Sequence, residues 1–245
     1  MKPTGNTILI AGGTSGIGLG MALRLERAGN RVIIAGRREE LLAEIAAQHP
    51  TIATITLDVA DPASITALRE RVEREHPDTN VLIAMAGIML AEDLTAPAFL
   101  ATAERHVEIN LLGTIRLIAA FTPMLLGRRD ATIMTVSSGL AFVPLPMAAT
   151  YSATKAAIHS FTQSLRVQLR PHGVEVIELI PPGVRTSLFG QDEAGSGMPL
   201  EDFLDEVMTL LAVTPALEEL CVQNVHHFRY AERRGDYREV LDQLS

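Results

Sequence analysis

The sequence predicts a doubly wound α/β fold, in which helices flank one mostly parallel sheet and a divergent helical tail follows. Three observations support this. Six short apolar and β-branched runs alternate with segments of helical periodicity. The first run leads directly into a glycine-rich turn. The fourth run, residues 81–86, is almost wholly apolar, which is typical of a parallel strand covered on both faces.

The composition limits the classes of function. The chain has 245 residues, 47% hydrophobic and 20% charged, so we expect residues 1–245 to form one domain with a substantial core. A net charge of −8 without a Lys/Arg run argues against nucleic acid and membrane surfaces as partners. The longest apolar run, residues 81–91, is too short to span a bilayer, and no signal-peptide pattern is visible. With Cys221 as its single cysteine, the chain is predicted to be cytoplasmic and to act on a small molecule.

The first element is a strand, Thr7–Ala11, followed by the sequence GGTSGIG at residues 12–18 and a helical pattern. Glycines permit a tight turn and the close approach of a pyrophosphate, whose charge is favoured by the N–H groups at the helix start. Glycines are also plain turn formers. The order of strand, glycine loop and helix nevertheless predicts a nucleotide site.

The second strand, residues 31–35, leads into Gly36, Arg37 and Arg38. An acidic residue here would bind the adenosine ribose, whereas arginine accommodates a 2′-phosphate. The arginines therefore favour NADP (as NADPH), with NAD as the alternative cofactor. A solvated arginine at a helix start is the structural alternative.

The middle of the chain supplies four more strands. Asp58 follows the third, residues 52–57, where it either meets an adenine amino group or forms a turn before the helix that Asp61 caps. A long helical region is predicted at 98–126, and Asn110 within it is by itself an ordinary polar residue. Strands at Thr132–Val136 and 174–180 complete the six.

The C-terminal third carries two less regular segments. Residues 187–205 contain three glycines and little periodicity, which predicts a candidate substrate lid. The tail, residues 218–245, is rich in charge and is predicted as one or two short amphipathic helices. Its adjacent His226 and His227 lack the spacing of a helical metal site, so no metal is predicted.

The most informative stretch is residues 138–155. Tyr151 and Lys155 lie one helical turn apart on one face, and Ser138 follows a strand at the edge where ligands bind in open α/β sheets. An ammonium favours a phenolate, so we expect Lys155 to lower the pKa of Tyr151 from about 10. A Tyr and a Lys one helical turn apart are usually solvated. Because Tyr151 and Lys155 are expected to lie beside a nucleotide site, they predict a proton-transfer centre.

Together these motifs resemble the compact form of the short-chain dehydrogenase/reductase family, because Ser138 precedes the Tyr-x-x-x-Lys sequence of 151–155 by thirteen residues. The tail is similar to that of bacterial short-chain oxidoreductases named for lipoteichoic acid D-alanylation. The resemblance implies a Rossmann-type fold and Asn110 as a fourth catalytic residue beside Ser138, Tyr151 and Lys155. The cofactor-binding residues that it implies are Gly12, Thr14, Ser15, Gly16, Ile17, Gly18, Arg37, Arg38, Asp58, Val59, Ala86, Gly87, Tyr151, Lys155, Val184 and Thr186.

The chain also departs from the family pattern. Ala11 replaces a usual Thr, Ala84-Met85 replaces Asn-Asn, and Pro182 replaces a glycine. The loss of polar residues at 84–85 predicts less rigidity near the nicotinamide. The family's usual last strand is not visible in the tail, so we expect a homodimer through the two long helices rather than a tetramer.

The resemblance implies hydride transfer between a nicotinamide and a carbonyl or alcohol carbon. Tyr151 would be the general acid or base, Ser138 would bind the substrate oxygen, Lys155 would bind the nicotinamide ribose, and Asn110 would hold a water. Residues 139–150 carry no charge, which predicts a neutral, apolar substrate unless these residues face the core or an interface. The apolar residues expected beside Ser138 are Leu140, Phe142, Val143, Leu145 and Met147. A cofactor-binding sensor or scaffold without turnover is the alternative class of function.

Overall fold

In the computed structural model, which describes residues 1–190, 197–213 and 217–244, the six predicted strands form in the predicted order. All neighbouring strands pair in parallel, and helices connect them, which confirms the doubly wound Rossmann-type class. The six strands are β1 (Thr7–Ala11), β2 (Arg31–Gly36), β3 (Ala53–Thr56), β4 (Val81–Ala84), β5 (Thr132–Val136) and β6 (Glu175–Ile180).

Helices cover the sheet on both faces. Those before the tail are α1 (Gly16–Arg27), α2 (Glu39–Gln48), α3 (Pro62–Glu75), α4 (Phe99–His106), α5 (Thr114–Leu125), α6 (Ala149–Leu169) and α7 (Leu200–Val213). Side chains alternate along each strand, so Ile8 and Ile10 of β1 pack on the side of α1, α2 and α7. Leu9 between them packs on the side of α3, α5 and α6. Two apolar layers therefore enclose the sheet.

A seventh strand, β7 (Glu219–Cys221), lies in the tail and corrects the prediction that the last strand is missing. It pairs in parallel with β6, with Glu178 opposite Glu219, and extends the sheet to the order β3-β2-β1-β4-β5-β6-β7. Three residues are too few to show a periodicity, but Leu220 at its centre is fully buried. Where one or two short tail helices are predicted, the described residues form three, which are α8 (His226–Arg229), α9 (Ala231–Arg234) and α10 (Tyr237–Asp242).

The predicted long helical region is interrupted between α4 and α5 by a π-helical turn, Val107–Gly113, that contains Asn110. Of the helices that the structure describes, the stretch Phe99–Leu125 is long and apolar enough to cross a membrane by length and composition, and it contains an 18-residue window with a mean hydropathy of 1.2. Core helices of soluble proteins pass the same test. Here Leu117, Ile118 and Phe121 are buried against the sheet.

The candidate lid predicted at 187–205 is only partly a loop. Residues 191–196 lie outside the described part of the chain. Leu188–Gly190 forms a short 3-10 turn, and Met198 pairs with Val184 in an isolated bridge. From Leu200 onward the chain belongs to α7, whose Phe203 and Leu204 are fully buried. Residues 200–205 are therefore helical rather than irregular, because an apolar stripe fixes them on the sheet, and the lid stays a prediction.

Candidate active site

The glycine loop between β1 and α1 is packed so closely that it excludes side chains. Gly12 has a φ of +95°, and a Cβ on it would lie 2.7 Å from the backbone nitrogen of Ala86. A Cβ on Gly18 would lie 2.2 Å from the carbonyl oxygen of Gly12. Ser15 precedes α1 without capping it through its side chain, so the first N–H groups of this 12-residue helix are available to an anion.

Two arginines border the glycine loop at the end of β2. Arg38 donates from Nη2 to the hydroxyl oxygens of Thr14, at 2.8 Å, and Ser15, at 2.6 Å. Arg37 is exposed and lines the same cleft. Two guanidinium groups beside a glycine loop suit the recognition of a phosphate.

Asp58 begins the turn after β3. Its Oδ1 accepts the N–H of Ala60 at 3.0 Å, and its own N–H donates to Oγ of Ser64 at 2.9 Å. The turn-forming role that the sequence left open is thus present, while Asp58 also lines the cleft. Asp61 caps α3 as expected, accepting the N–H of Ala63 at 2.9 Å.

Ser138, Tyr151 and Lys155 meet beyond the carboxyl end of β5. Ser138 lies two residues after β5, and Tyr151 is in the first turn of α6 with Lys155 one turn later. Nζ of Lys155 lies 5.6 Å from the centroid of the Tyr151 ring and donates to the carbonyl of Val136 at 2.8 Å. Tyr151 and Lys155 are each only 6% exposed.

Burial dominates the ionisation of these two side chains. It raises the pKa of Tyr151 to about 12, although the Ser138 hydroxyl favours the phenolate by hydrogen bonding. It lowers the pKa of Lys155 to about 8, opposed by the negative charge of Glu178. The expected lowering of the Tyr151 pKa is therefore not found: the pKa is raised, because desolvation of the phenolate is the largest effect on it.

All of these groups face one cleft of about 730 Å³. Every residue predicted to bind the cofactor lines it, and so do Ser138, Tyr151 and Lys155. Thr186 crosses over the loop, since a Cβ on Gly16 would lie 3.2 Å from its methyl group. A long cleft with a glycine loop and arginines at one end can hold a dinucleotide.

Asn110 lies behind the cleft rather than on its surface. Its Oδ1 accepts the N–H of Ile88 at 2.8 Å, and its Nδ2 donates to the carbonyl of the same residue at 2.9 Å. A Cβ on Gly87 would lie 3.2 Å from Asn110 Oδ1 and 3.9 Å from Lys155 Nζ. Asn110 therefore braces the loop after β4, close to the Lys155 ammonium.

The expected apolar pocket beside Ser138 is built from different residues. Leu140 and Leu145 line the cleft as predicted. Phe142 instead stacks against the guanidinium of Arg229, and Val143 is buried in a cluster with the tail. Met147 is 50% exposed. The prediction was wrong for these three because an irregular loop gives no period from which to assign a face.

Sequence reasoning missed several residues on the cleft wall. They come from four separate segments and are Met89, Leu188, Phe189, Phe228 and Leu244. The tail residues among them reach the cleft because α8 packs on the loop after Ser138, where a Cβ on Gly139 would lie 3.2 Å from the Phe228 ring. No local signal identifies such contacts, because they depend on how the tail folds back.

One cluster of potential metal ligands lies near the site. Donor atoms of His159, Glu178 and Glu219 lie within 4.8 Å of one another. Arg229, however, donates to both carboxylate oxygens of Glu219 at 2.9 Å, and Ser137 donates to Glu178 at 2.5 Å. These bonds satisfy the carboxylates within the chain, and the prediction of no metal stays a prediction.

Comparisons with known proteins identify relatives along the whole chain. A family model described as short chain dehydrogenase matches residues 6–196. The uncharacterized oxidoreductase DltE of Bacillus subtilis is 41% identical over 251 residues, which cover 100% of this chain and 98% of that protein.

Solved structures share the fold. A short-chain dehydrogenase from Burkholderia cenocepacia in complex with NADP superposes with a TM-score of 0.84 at 24% identity and covers 100% of this chain and 99% of its own. A 3-ketoacyl-(acyl-carrier-protein) reductase from Brucella melitensis, complexed with NADH, gives a TM-score of 0.78 at 23% identity, with coverage of 91% and 100%.

The depressed pKa of Lys155 predicts a pH dependence of stability. Between pH 8 and 10.5 the unfolded chain holds this proton and the folded chain has lost it, so the free energy of unfolding should rise with pH in that window. We expect Lys155→Met to lack this contribution, and the difference between the two proteins in urea titrations from pH 7 to pH 10 isolates it. A difference in the free energy of unfolding that does not change with pH would show that the pKa of Lys155 is not lowered in the folded protein.

Proposed function

The chain belongs to the short-chain dehydrogenase family, and from this premise we propose that it is an NADP(H)-dependent oxidoreductase acting on a neutral, apolar ketone, aldehyde or secondary alcohol. The observation that carries the proposal is that Ser138, Tyr151 and Lys155 share one cleft with the glycine loop. A proton donor and a dinucleotide cradle at one carboxyl edge suit hydride transfer coupled to proton transfer.

The residues of the cleft fit a nicotinamide dinucleotide. The N–H groups at the start of α1 would hold the pyrophosphate, beside a glycine loop in which a Cβ at Gly12 or Gly18 would collide with neighbouring backbone atoms. Asp58 and Val59 would border the adenine, and Val184 and Thr186 the carboxamide. When bound, the cofactor supplies or accepts the hydride at its nicotinamide ring.

The protein groups handle the proton and the developing charge. Tyr151 would donate its hydroxyl proton to the carbonyl oxygen of the substrate as the carbonyl carbon is reduced. In the oxidation of an alcohol it would take the proton back. Ser138 would hydrogen-bond the same oxygen. Lys155 would bind the nicotinamide ribose and favour the phenolate, and Asn110 would hold the loop and a water behind Lys155.

The NADP preference is supported by the two arginines. Arg38 is anchored to the glycine loop through Thr14 and Ser15, which fixes a positive charge beside the adenosine end. Arg37 adds a second exposed guanidinium, and residues 36–38 at the end of β2 include no acidic residue. The NADP complex of the Burkholderia relative agrees with this choice, whereas the NADH complex of the Brucella reductase keeps NAD as the alternative.

The proposed substrate class follows from the lining of the cleft. Among the described residues that line it, the charged ones are Arg37, Arg38, Asp58 and Lys155, all assigned above to the cofactor. Most of the remaining wall is apolar and includes Leu188, Phe228 and Leu244. Next to Tyr151 it is formed by Met89, Leu140, Leu145 and Phe189, which pack in one cluster with the Tyr151 side chain. Such a wall favours a substrate without charge.

The main test of the mechanism is Tyr151→Phe. We expect it to lower kcat at least about a thousandfold, because the general acid is lost, while the thermal shift produced by NADPH is retained. The assay follows NADPH oxidation with a panel of apolar aldehydes and ketones. Substantial residual turnover in the variant would reject Tyr151 as the acid. No turnover by the wild-type protein, despite a clear thermal shift with NADPH, would favour a sensor.

The cofactor assignment is tested by thermal shifts with NADPH and NADH side by side. We expect NADPH to stabilise the wild-type protein more, and Arg37→Ala to weaken NADPH binding about tenfold because a charge-assisted phosphate contact is lost. NADH binding should be unchanged. Arg129→Ala removes an exposed arginine outside the cleft and is the matched control. Greater stabilisation by NADH in the wild-type protein would overturn the assignment.

We also propose a cytoplasmic homodimer. Four exposed apolar side chains on α4, α6 and the π-helical turn support the dimer, and they are Leu100, Val107, Leu112 and Val167. Sedimentation equilibrium should find a dimer at micromolar concentration, and Val167→Asp should shift the protein towards monomer. A monomeric wild-type protein would contradict this part of the proposal.

A further inference from the structure

The loop after β4 carries a buried carboxylate that the proposed chemistry does not use. Glu92 lies in this loop and His106 is the last residue of α4, and both side chains are 0% exposed. Burying a carboxylate is costly unless it is paired or hydrogen-bonded. The bonds that these two side chains make therefore show what they hold in place.

Glu92 is bonded to the start of the helix that carries Tyr151. Its Oε2 accepts the N–H of Thr150 at 2.6 Å, and its own N–H donates to the carbonyl of Met147 at 2.9 Å. Thr150 is the second residue of α6, so its N–H has no acceptor within the helix. A carboxylate there is also favoured by the helix dipole. Glu92 thus caps α6 from a distant part of the chain. The residue that it binds, Thr150, directly precedes Tyr151.

His106 completes the arrangement from the other side. Its Nε2 accepts the N–H of Leu90 at 3.1 Å, which places the proton of the neutral ring on Nδ1. That Nδ1 faces Oε1 of Glu92 at 3.5 Å, and neither atom has a hydrogen-bond partner. The ring packs edge-on against the Tyr151 ring at 6.2 Å between centroids. Burial lowers the pKa of His106, in agreement with a neutral ring.

The loop is consequently tied at every second residue. Asn110 holds Ile88, His106 holds Leu90, and Glu92 itself holds α6. The residue between the first two ties, Met89, packs against Tyr151 in a small buried cluster. The loop, the Tyr151 ring and the start of α6 therefore form one connected unit.

We propose that Glu92 and His106 are positioning residues, which act as a pair to fix the Tyr151 hydroxyl at the reacting oxygen; this rests on the proposed function. Proton transfer requires hydrogen-bonding distance, and a displacement of about 1 Å can cost about a hundredfold in rate. Neither side chain lines the cleft, so neither contacts substrate or cofactor.

The test separates kcat from cofactor binding in Glu92→Ala, His106→Leu and their double variant. We expect each single variant to lower kcat for NADPH oxidation with the best apolar aldehyde about a hundredfold. The thermal shift with NADPH should be unchanged, because the glycine loop is intact. The double variant should be no slower than either single variant, since the pair acts as a unit. Glu104→Ala, an exposed glutamate of α4, is the control.

Glu92→Gln keeps the volume and an oxygen for the Thr150 N–H but turns an amide N–H towards Nδ1 of His106. We expect an intermediate loss of about tenfold in kcat. This variant decides the question if Glu92→Ala does not fold. The proposal that Glu92 and His106 act as a pair would be overturned by a wild-type kcat in Glu92→Gln. It would also be overturned if the free-energy losses of the single variants add in the double variant. If Tyr151→Phe is inactive while the Glu92 and His106 variants are normal, the proposed function stands and the positioning role falls.

Discussion

The close approach of two backbone segments is the constraint on which the candidate site depends. The glycine loop meets the loop after β4 so tightly that a Cβ on Gly12 would lie 2.7 Å from the nitrogen of Ala86. Met85 fills the space beneath, its sulfur 2.8 Å from where a Cβ on Gly18 would stand. Because no side chain separates the segments, the N–H groups of α1 and the wall beside Tyr151 open into the same cleft.

Because of this contact, the shape of the cleft depends on how rigidly the loop after β4 is held. The sequence has no polar residue at 84–85, and Met85 can contribute only packing. The structure supplies polar ties further along the loop, from Asn110 to Ile88 and from His106 to Leu90. The side chain of Asn110 serves this purpose from a π-helical turn, an irregularity that is frequent at functional sites.

Local patterns were sufficient for most of the fold and for the residues that meet in the cleft. The glycine loop, the β-branched strands and the spacing of Tyr151 and Lys155 are each encoded within a few neighbouring residues. Contacts between distant segments were not predictable in this way. β7 is three residues long, and Phe228 reaches the cleft only after the tail has folded onto Gly139. The partnership of Glu92 with Thr150 likewise joins residues 58 positions apart.

The electrostatics of the cleft separate the two directions of the proposed reaction. Burial holds Tyr151 neutral with a pKa of about 12, so the phenol is ready to donate its proton when a carbonyl is reduced. Oxidation needs the phenolate, which burial disfavours, and burial also lowers the pKa of Lys155 to about 8. An oxidised nicotinamide bound in the cleft would add a positive charge that favours the phenolate. The chain's own groups therefore favour Tyr151 as an acid, and its use as a base depends on what is bound beside it.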